Sequence, residues 1–102
     1  MTPDFVPESF EHTMGCTAAD LLRALPLAFP GGVLQTEATA NRACVDFPDG
    51  QLQLAWLDLP ARKIALLEIP RLQVIFRYAR LPPDRRREVQ RRFDLTTQRG
   101  GG

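Results

Sequence analysis

Apolar and polar residues alternate on both sides of a turn motif near the middle of the chain, and this pattern restricts the possible folds strongly. In the motif, Phe47-Pro48-Asp49-Gly50, proline suits the second position of a type I turn and glycine the fourth. The apolar residues before it fall at every second position: Ala43, Val45 and Phe47. Those after it do the same: Leu52, Leu54 and Trp56. The sequence therefore predicts a β-hairpin with one face of each strand in the core.

The β pattern continues to residue 78. We expect a second reversal at residues 59–63, because an aliphatic run resumes at residues 64–69. That run fits core packing, or an apolar ligand held between sheet and helix. Pro70 either bends a strand at a sheet edge or separates two strands at a tight turn. We expect one long bent strand, because no glycine or asparagine is present to adopt the positive φ of a hairpin turn.

The first part of the chain predicts a strand followed by a helix. Phe10, His12 and Met14 alternate with polar residues, which indicates a half-buried strand. Thr17-Ala18-Ala19-Asp20 resembles a capping box at a helix start. Pro26 is expected to kink or end this helix at about residue 25, since proline lacks the backbone N–H that a helix interior uses.

A second helix is predicted after Leu81-Pro82-Pro83-Asp84, with Val89 and Phe93 on its apolar face. The element order is then β-α-β-β-β(-β)-α. The fold class is α+β, an antiparallel meander with two helices packed on one face. We expect a single domain at residues 9–95, between a flexible arm at 1–8 and a flexible tail at 96–102.

Size and composition are those of one ordinary globular domain. The 102 residues are 44% hydrophobic and 25% charged. No apolar run approaches the roughly 18 residues of a membrane span, and no secretory signal is recognisable, so we expect a cytoplasmic protein. The two cysteines, Cys16 and Cys44, are interpreted as buried free thiols.

Charge is distributed unevenly along the chain. Residues 1–50 contain two cations and seven acids, whereas residues 51–102 contain eleven cations and five acids. The basic half ends in a helix that begins with Arg85-Arg86-Arg87, where cations oppose the helix macrodipole. Such a placement costs stability, so it favours a role in binding something acidic.

The predicted binding residues are Arg85, Arg86, Arg91 and Arg92. We expect a small non-enzymatic interaction or ligand-binding domain that uses these side chains toward an acidic protein or a second copy of itself. Nucleic acid is the alternative partner, although Phe76, Tyr78 and Phe93 occupy core positions rather than stacking positions. An ordinary solvated face also explains the arginines. Glu88 with Arg92 and Asp84 with Arg87 would form helical ion pairs, and twelve arginines to one lysine could reflect codon preference.

The sequence offers little for catalysis or metal binding. His12 and Cys16 suggest a thiol nucleophile at a helix start, but no third group is identifiable to orient the pair. One histidine and two cysteines are too few for a structural zinc site of Cys and His ligands. The carboxylates are scattered over turns and helix ends, and no phosphate-binding or hydrolase motif occurs. We therefore predict no enzyme activity, no metal and no cofactor.

Overall fold

Antiparallel strands dominate the structure, as the alternating pattern predicts. The computed structural model describes residues 3–99, which form β1 Ser9–Met14, α1 Ala18–Ala28, β2 Val33–Glu37, β3 Arg42–Phe47, β4 Gly50–Ile64, β5 Leu67–Ala79 and α2 Pro83–Arg99. The strands build one five-stranded sheet in the order β1-β5-β4-β3-β2. All neighbouring pairs are antiparallel. The predicted α+β class and its β-α-β-β-β-β-α order are confirmed.

The hairpin and the capping box form as predicted. Phe47 pairs with Gly50, so Pro48 and Asp49 make the two-residue turn between β3 and β4. At the start of α1, the Thr17 hydroxyl accepts a hydrogen bond from the backbone N–H of Asp20, and the Asp20 carboxylate accepts one from the Thr17 N–H. These reciprocal bonds satisfy two donors that a helix start otherwise leaves without partners.

Two predictions about prolines had different outcomes. Of the two outcomes expected at Pro26, a kink or an end, the helix end is wrong, because α1 continues to Ala28. Its last turn is held by packing, because Ala28 and the following Phe29 are both buried in the core. Pro70, by contrast, lies within the single strand β5, so the expectation of one continuous strand through this position is confirmed.

The predicted reversal at residues 59–63 is wrong. The strand β4 runs on to Ile64, with a register shift between Leu59 and Arg62, and the chain reverses at Ala65 and Leu66. Ala65 adopts a φ of 54°, so alanine takes the left-handed conformation that glycine or asparagine more often adopts. Long pairing on both sides of the turn outweighs this local cost.

Both helices pack on the same face of the sheet. The core contains Leu21 and Leu25 from α1 together with Val89 and Phe93 from α2. It also contains alternate residues of the three central strands: Ala43, Val45, Phe47, Leu52, Leu54, Trp56, Leu72, Val74, Phe76 and Tyr78. Phe93 packs edge-on against Phe76, with ring centroids 5.2 Å apart. Neither helix of residues 3–99 covers the opposite sheet face, which presents Gln35, Gln53 and Arg77 to solvent.

The segment before β1 contacts the core, although the sequence predicts a flexible arm at residues 1–8. Val6 is buried against it, and the Glu8 carbonyl accepts a hydrogen bond from the Tyr78 N–H. At the other end α2 extends to Arg99, into the expected flexible tail; residues 100–102 lie outside the described part of the chain. Neither described helix combines the length and the apolar character needed to cross a bilayer.

Candidate functional site

Arg86 was expected to face solvent and contact a partner, but it is buried and has a structural role. Its side chain is only 6% exposed. Nε donates a hydrogen bond to the Val6 carbonyl and Nη1 donates one to the Leu81 carbonyl, each at 2.8 Å. The guanidinium also lies 5.8 Å from the ring centre of Phe5. Arg86 therefore joins the N-terminal segment to the start of α2 and is not available to a partner.

Arg85 forms ion pairs with two carboxylates of its own chain. Its Nε and Nη2 donate to the two carboxylate oxygens of Asp49 at 2.7 and 3.3 Å, and its Nη1 donates to Glu88 at 3.0 Å. These bonds raise the pKa of Arg85 and lower that of Asp49. The guanidinium also lies 5.5 Å from the ring centre of Phe47. Arg85 thus fastens α2 to the β3–β4 turn.

Two of the three arginines that oppose the helix dipole therefore have internal partners. Neither of the helical ion pairs predicted from the sequence forms among residues 3–99: Glu88 pairs with Arg85 instead of Arg92, and Asp84 does not pair with Arg87. The pattern of charges along the helix could not show this, because the competing carboxylate, Asp49, belongs to a turn that is 36 residues away from Arg85 in sequence.

Arg91 and Arg92 lie at the rim of an apolar hollow between the two helices. The hollow has a volume of about 380 Å³. Its apolar lining comes from the end of α1, the end of β3 and the outer side of α2: Phe29, Pro30, Phe47, Val89 and Leu95. We call it the helix-end hollow. Val89 and both phenylalanines are buried, whereas Leu95 is 43% exposed. The two arginines were predicted from the sequence, but the apolar lining was not, because its residues come from three separate elements.

The charges of Arg91 and Arg92 are not neutralised by any ion pair within the described chain. Both side chains are exposed, and they follow one another on α2. Guanidinium groups stay charged at every physiological pH and bind carboxylates through two parallel hydrogen bonds. The arrangement can therefore bind a group that combines an apolar part with one or two anions.

The two thiols lie in surroundings that favour their protonated form. Both are free, with Cys16 buried and Cys44 half-buried on the open sheet face. Burial raises the pKa of each thiol, helped by the nearby Asp20 for Cys16 and by Asp46 for Cys44. A thiolate is the reactive form, so both groups are poorly activated at neutral pH. The raised pKa of Cys16 opposes the lowering that a helix start would produce.

Side chains that could ligate a metal ion are dispersed within residues 3–99, and most aromatic side chains there are buried. Within residues 3–99 no three His, Cys, Asp or Glu side chains cluster as ligands of one ion. Phe76, Tyr78 and Phe93 are buried, as predicted, and so cannot stack with bases. Phe5 is the aromatic residue that is strongly exposed in the described chain. It lies beside Arg86 and not beside the helix-end hollow.

No known protein family matches this sequence, and comparison with curated proteins finds no match either.

Proposed function

We propose that this protein is a small non-enzymatic binding module that holds an acidic segment of a partner protein in the helix-end hollow. The observation that carries the proposal is the position of Arg91 and Arg92, exposed and without ion-pair partners in the described chain, beside an apolar hollow. The same proposal assigns the module to the cytoplasm, where free thiols such as Cys16 and Cys44 remain reduced.

The chemistry of the hollow supports an acidic peptide with one apolar anchor. A volume of about 380 Å³ accommodates a leucine or phenylalanine side chain with part of its backbone. Carboxylates on either side of the anchor can accept hydrogen bonds from the two guanidinium groups. Burial of the anchor supplies affinity, whereas the arginines select acidic sequences.

Internal contacts keep the hollow in shape before a partner binds. The bonds from Arg85 to Asp49 and Glu88 hold the β3–β4 turn against α2, and Phe47 and Val89 line the space between them. A preformed site loses less conformational entropy on binding than a flexible one. Arg85 thus has a supporting role. Of the four arginines predicted to bind a partner, we propose that only Arg91 and Arg92 contact it.

The test is fluorescence anisotropy with two labelled peptides rich in Asp and Glu, one with a central leucine and one with glycine in its place. We expect the leucine peptide to bind more tightly, and the variant R91E/R92E to abolish its binding. The matched control is R80E/R87E, which changes the same number of charges at positions outside the hollow. This control should bind nearly as well as the parent.

Four other results would each overturn the proposal. Equal losses in the two double variants would show unspecific attraction to a basic surface. Equal affinity for both peptides would show that the hollow takes no anchor. Preference for a DNA or RNA oligonucleotide, with affinity that falls steeply with salt, would favour the nucleic-acid alternative. Dimers that R91E/R92E dissociates in analytical ultracentrifugation would favour self-association.

A further inference from the structure

The β4–β5 hairpin extends well beyond the rest of the sheet. The strand β3 pairs with β4 only as far as Ala55, and β1 pairs with β5 only as far as Leu72. Residues 57–71 therefore form a two-stranded arm, which we call the distal arm. Seven residue steps from Leu57 to Ile64 span about 23 Å at the usual rise of a strand. The arm accounts for the elongated outline of the molecule, 46 by 31 by 21 Å.

The end of the distal arm is apolar and exposed. Leu66, at the turn, is completely exposed, and its neighbours Leu67 and Ile64 are 66% and 45% exposed. The sequence predicts that the aliphatic run at residues 64–69 packs in the core or contacts an apolar ligand, and the structure places it at the protruding end instead. Three large aliphatic side chains at one protruding turn form a contact surface that nothing in the described part of the chain covers.

Positive charge accompanies these side chains on one face of the arm. Residues directly opposite each other in an antiparallel pair share a face. The pairs Leu59–Arg71, Arg62–Ile69 and Ile64–Leu67 lie on the open sheet face. This face of the arm thus carries aliphatic residues and two arginines but no acid, whereas Glu68 opposes Lys63 on the other side.

The edges of the arm are poorly suited to pairing with a further strand. Pro60 and Pro70 lack backbone N–H groups, and the register shift lies between Leu59 and Arg62. The Arg71 Nε donates a hydrogen bond to the Pro60 carbonyl at 2.8 Å, which uses one of the exposed acceptors. Side chains are therefore better suited than the backbone to provide a contact at the end of the distal arm.

We propose that the distal arm inserts its end into the surface of an anionic lipid bilayer. Ile64, Leu66 and Leu67 would enter the boundary between headgroups and acyl chains, and Arg62 and Arg71 would contact lipid phosphates. Arg62 is two residues behind Ile64, about 7 Å along the strand, which matches the depth of that boundary. A second copy fits less well, because this face carries no acid and symmetric packing would leave the arginines of both copies without a carboxylate partner. A lipid surface needs no complementary shape.

The test uses the full chain and vesicles of phosphatidylcholine, with or without phosphatidylglycerol. In a flotation assay we expect binding to the anionic vesicles and little to the neutral ones. The variant L66D should lower the partition coefficient roughly tenfold or more, since it places a charge where a leucine enters the membrane. The matched control is L27D. Leu27 is also strongly exposed but lies on α1, away from the distal arm, so this variant should bind as the parent does. R62Q/R71Q should weaken binding to the anionic vesicles and leave the low binding to neutral vesicles unchanged.

A second measurement separates the distal arm from the basic helix α2. In L66W, the introduced indole should be quenched by brominated lipids, whereas Trp56, which is buried, should not. Quenching of the introduced indole supports the proposal. Vesicle binding without quenching, binding unaffected by L66D, or absence of binding to anionic vesicles would overturn it. Dimers that dissociate in L66D but not in L27D would also overturn it, in favour of a second copy. None of these results depends on the helix-end hollow.

Discussion

The hydroxyl of Tyr78 donates a 2.7 Å hydrogen bond to the side-chain carbonyl of Gln90 inside the core. Gln90 in turn donates from Nε2 to Asp94 at 3.0 Å. The chain thus buries a polar connection between β5 and α2 where the helix offers few apolar side chains. Burial raises the pKa of Tyr78 far above its usual range, so the phenol stays protonated in the folded protein.

Replacing Tyr78 by phenylalanine should lower the free energy of unfolding by about 1–3 kcal/mol, because the Gln90 carbonyl loses its donor inside the protein. Urea denaturation measures the change. The double variant Y78F/Q90L should cost less stability than the sum of Y78F and Q90L, since it removes both halves of the Tyr78–Gln90 hydrogen bond, and the bond from Gln90 to Asp94 is lost equally in Q90L and in the double variant. If the double variant lost as much free energy of unfolding as the two single variants together, the coupling would be contradicted.

Arg86 and Arg87 are neighbours in sequence but should differ sharply in their effect on stability. R86A should cost about 2–3 kcal/mol, because the buried carbonyls of Val6 and Leu81 lose a charged donor. R87A should change stability by no more than about 0.5 kcal/mol, because Arg87 is exposed. Thermal and urea unfolding of both variants checks the prediction, and equal effects would contradict it.

Gly50 should resist substitution because the chain passes very close to it. A Cβ atom at this position would lie 2.5 Å from the Ala79 carbonyl oxygen and 2.7 Å from Leu81 Cγ. The first contact is with backbone and cannot be relieved by a rotamer change, so G50A should destabilise the fold by about 1–3 kcal/mol. G15A is the control, since its nearest atom would be 4.0 Å away. Circular dichroism melts compare the two variants.

Stability should fall in acid partly through Asp49. The hydrogen bonds from Arg85 depress the pKa of Asp49 in the folded state, so its contribution is present above the unfolded value of about 3.9. That contribution is lost as the pH falls through the folded pKa. D49N should therefore lose less stability than the parent between pH 5 and pH 2. Urea midpoints measured across this range provide the check, and parallel curves would contradict the assignment.

Much of the fold could be predicted because its signals are local. The period-two pattern specified β1, β3 and the first part of β4, and the Thr17 capping box specified the start of α1. Pro26 does not end α1, because packing of Ala28 and Phe29 holds the last turn. The β4–β5 turn was missed because Ala65 is not one of the residue types that usually mark a left-handed position.

The candidate site was predicted only in part. Arginine density directed attention to α2 and included Arg91 and Arg92, which line the helix-end hollow. It could not distinguish them from Arg85 and Arg86, because all four have the same chemistry and similar spacing. The distinction depends on the acceptors that each side chain meets in the folded chain.

The sequence by itself determined the class of the fold, the β3–β4 hairpin and the position of the basic helix, since periodicity and capping operate over a few neighbouring residues. Only the tertiary structure decided which arginines remain exposed and where the apolar run at residues 64–69 is placed. Arg86 is buried because it meets a carbonyl 80 residues away in sequence. The distal arm protrudes because β4 and β5 continue to pair after their other neighbours have ended.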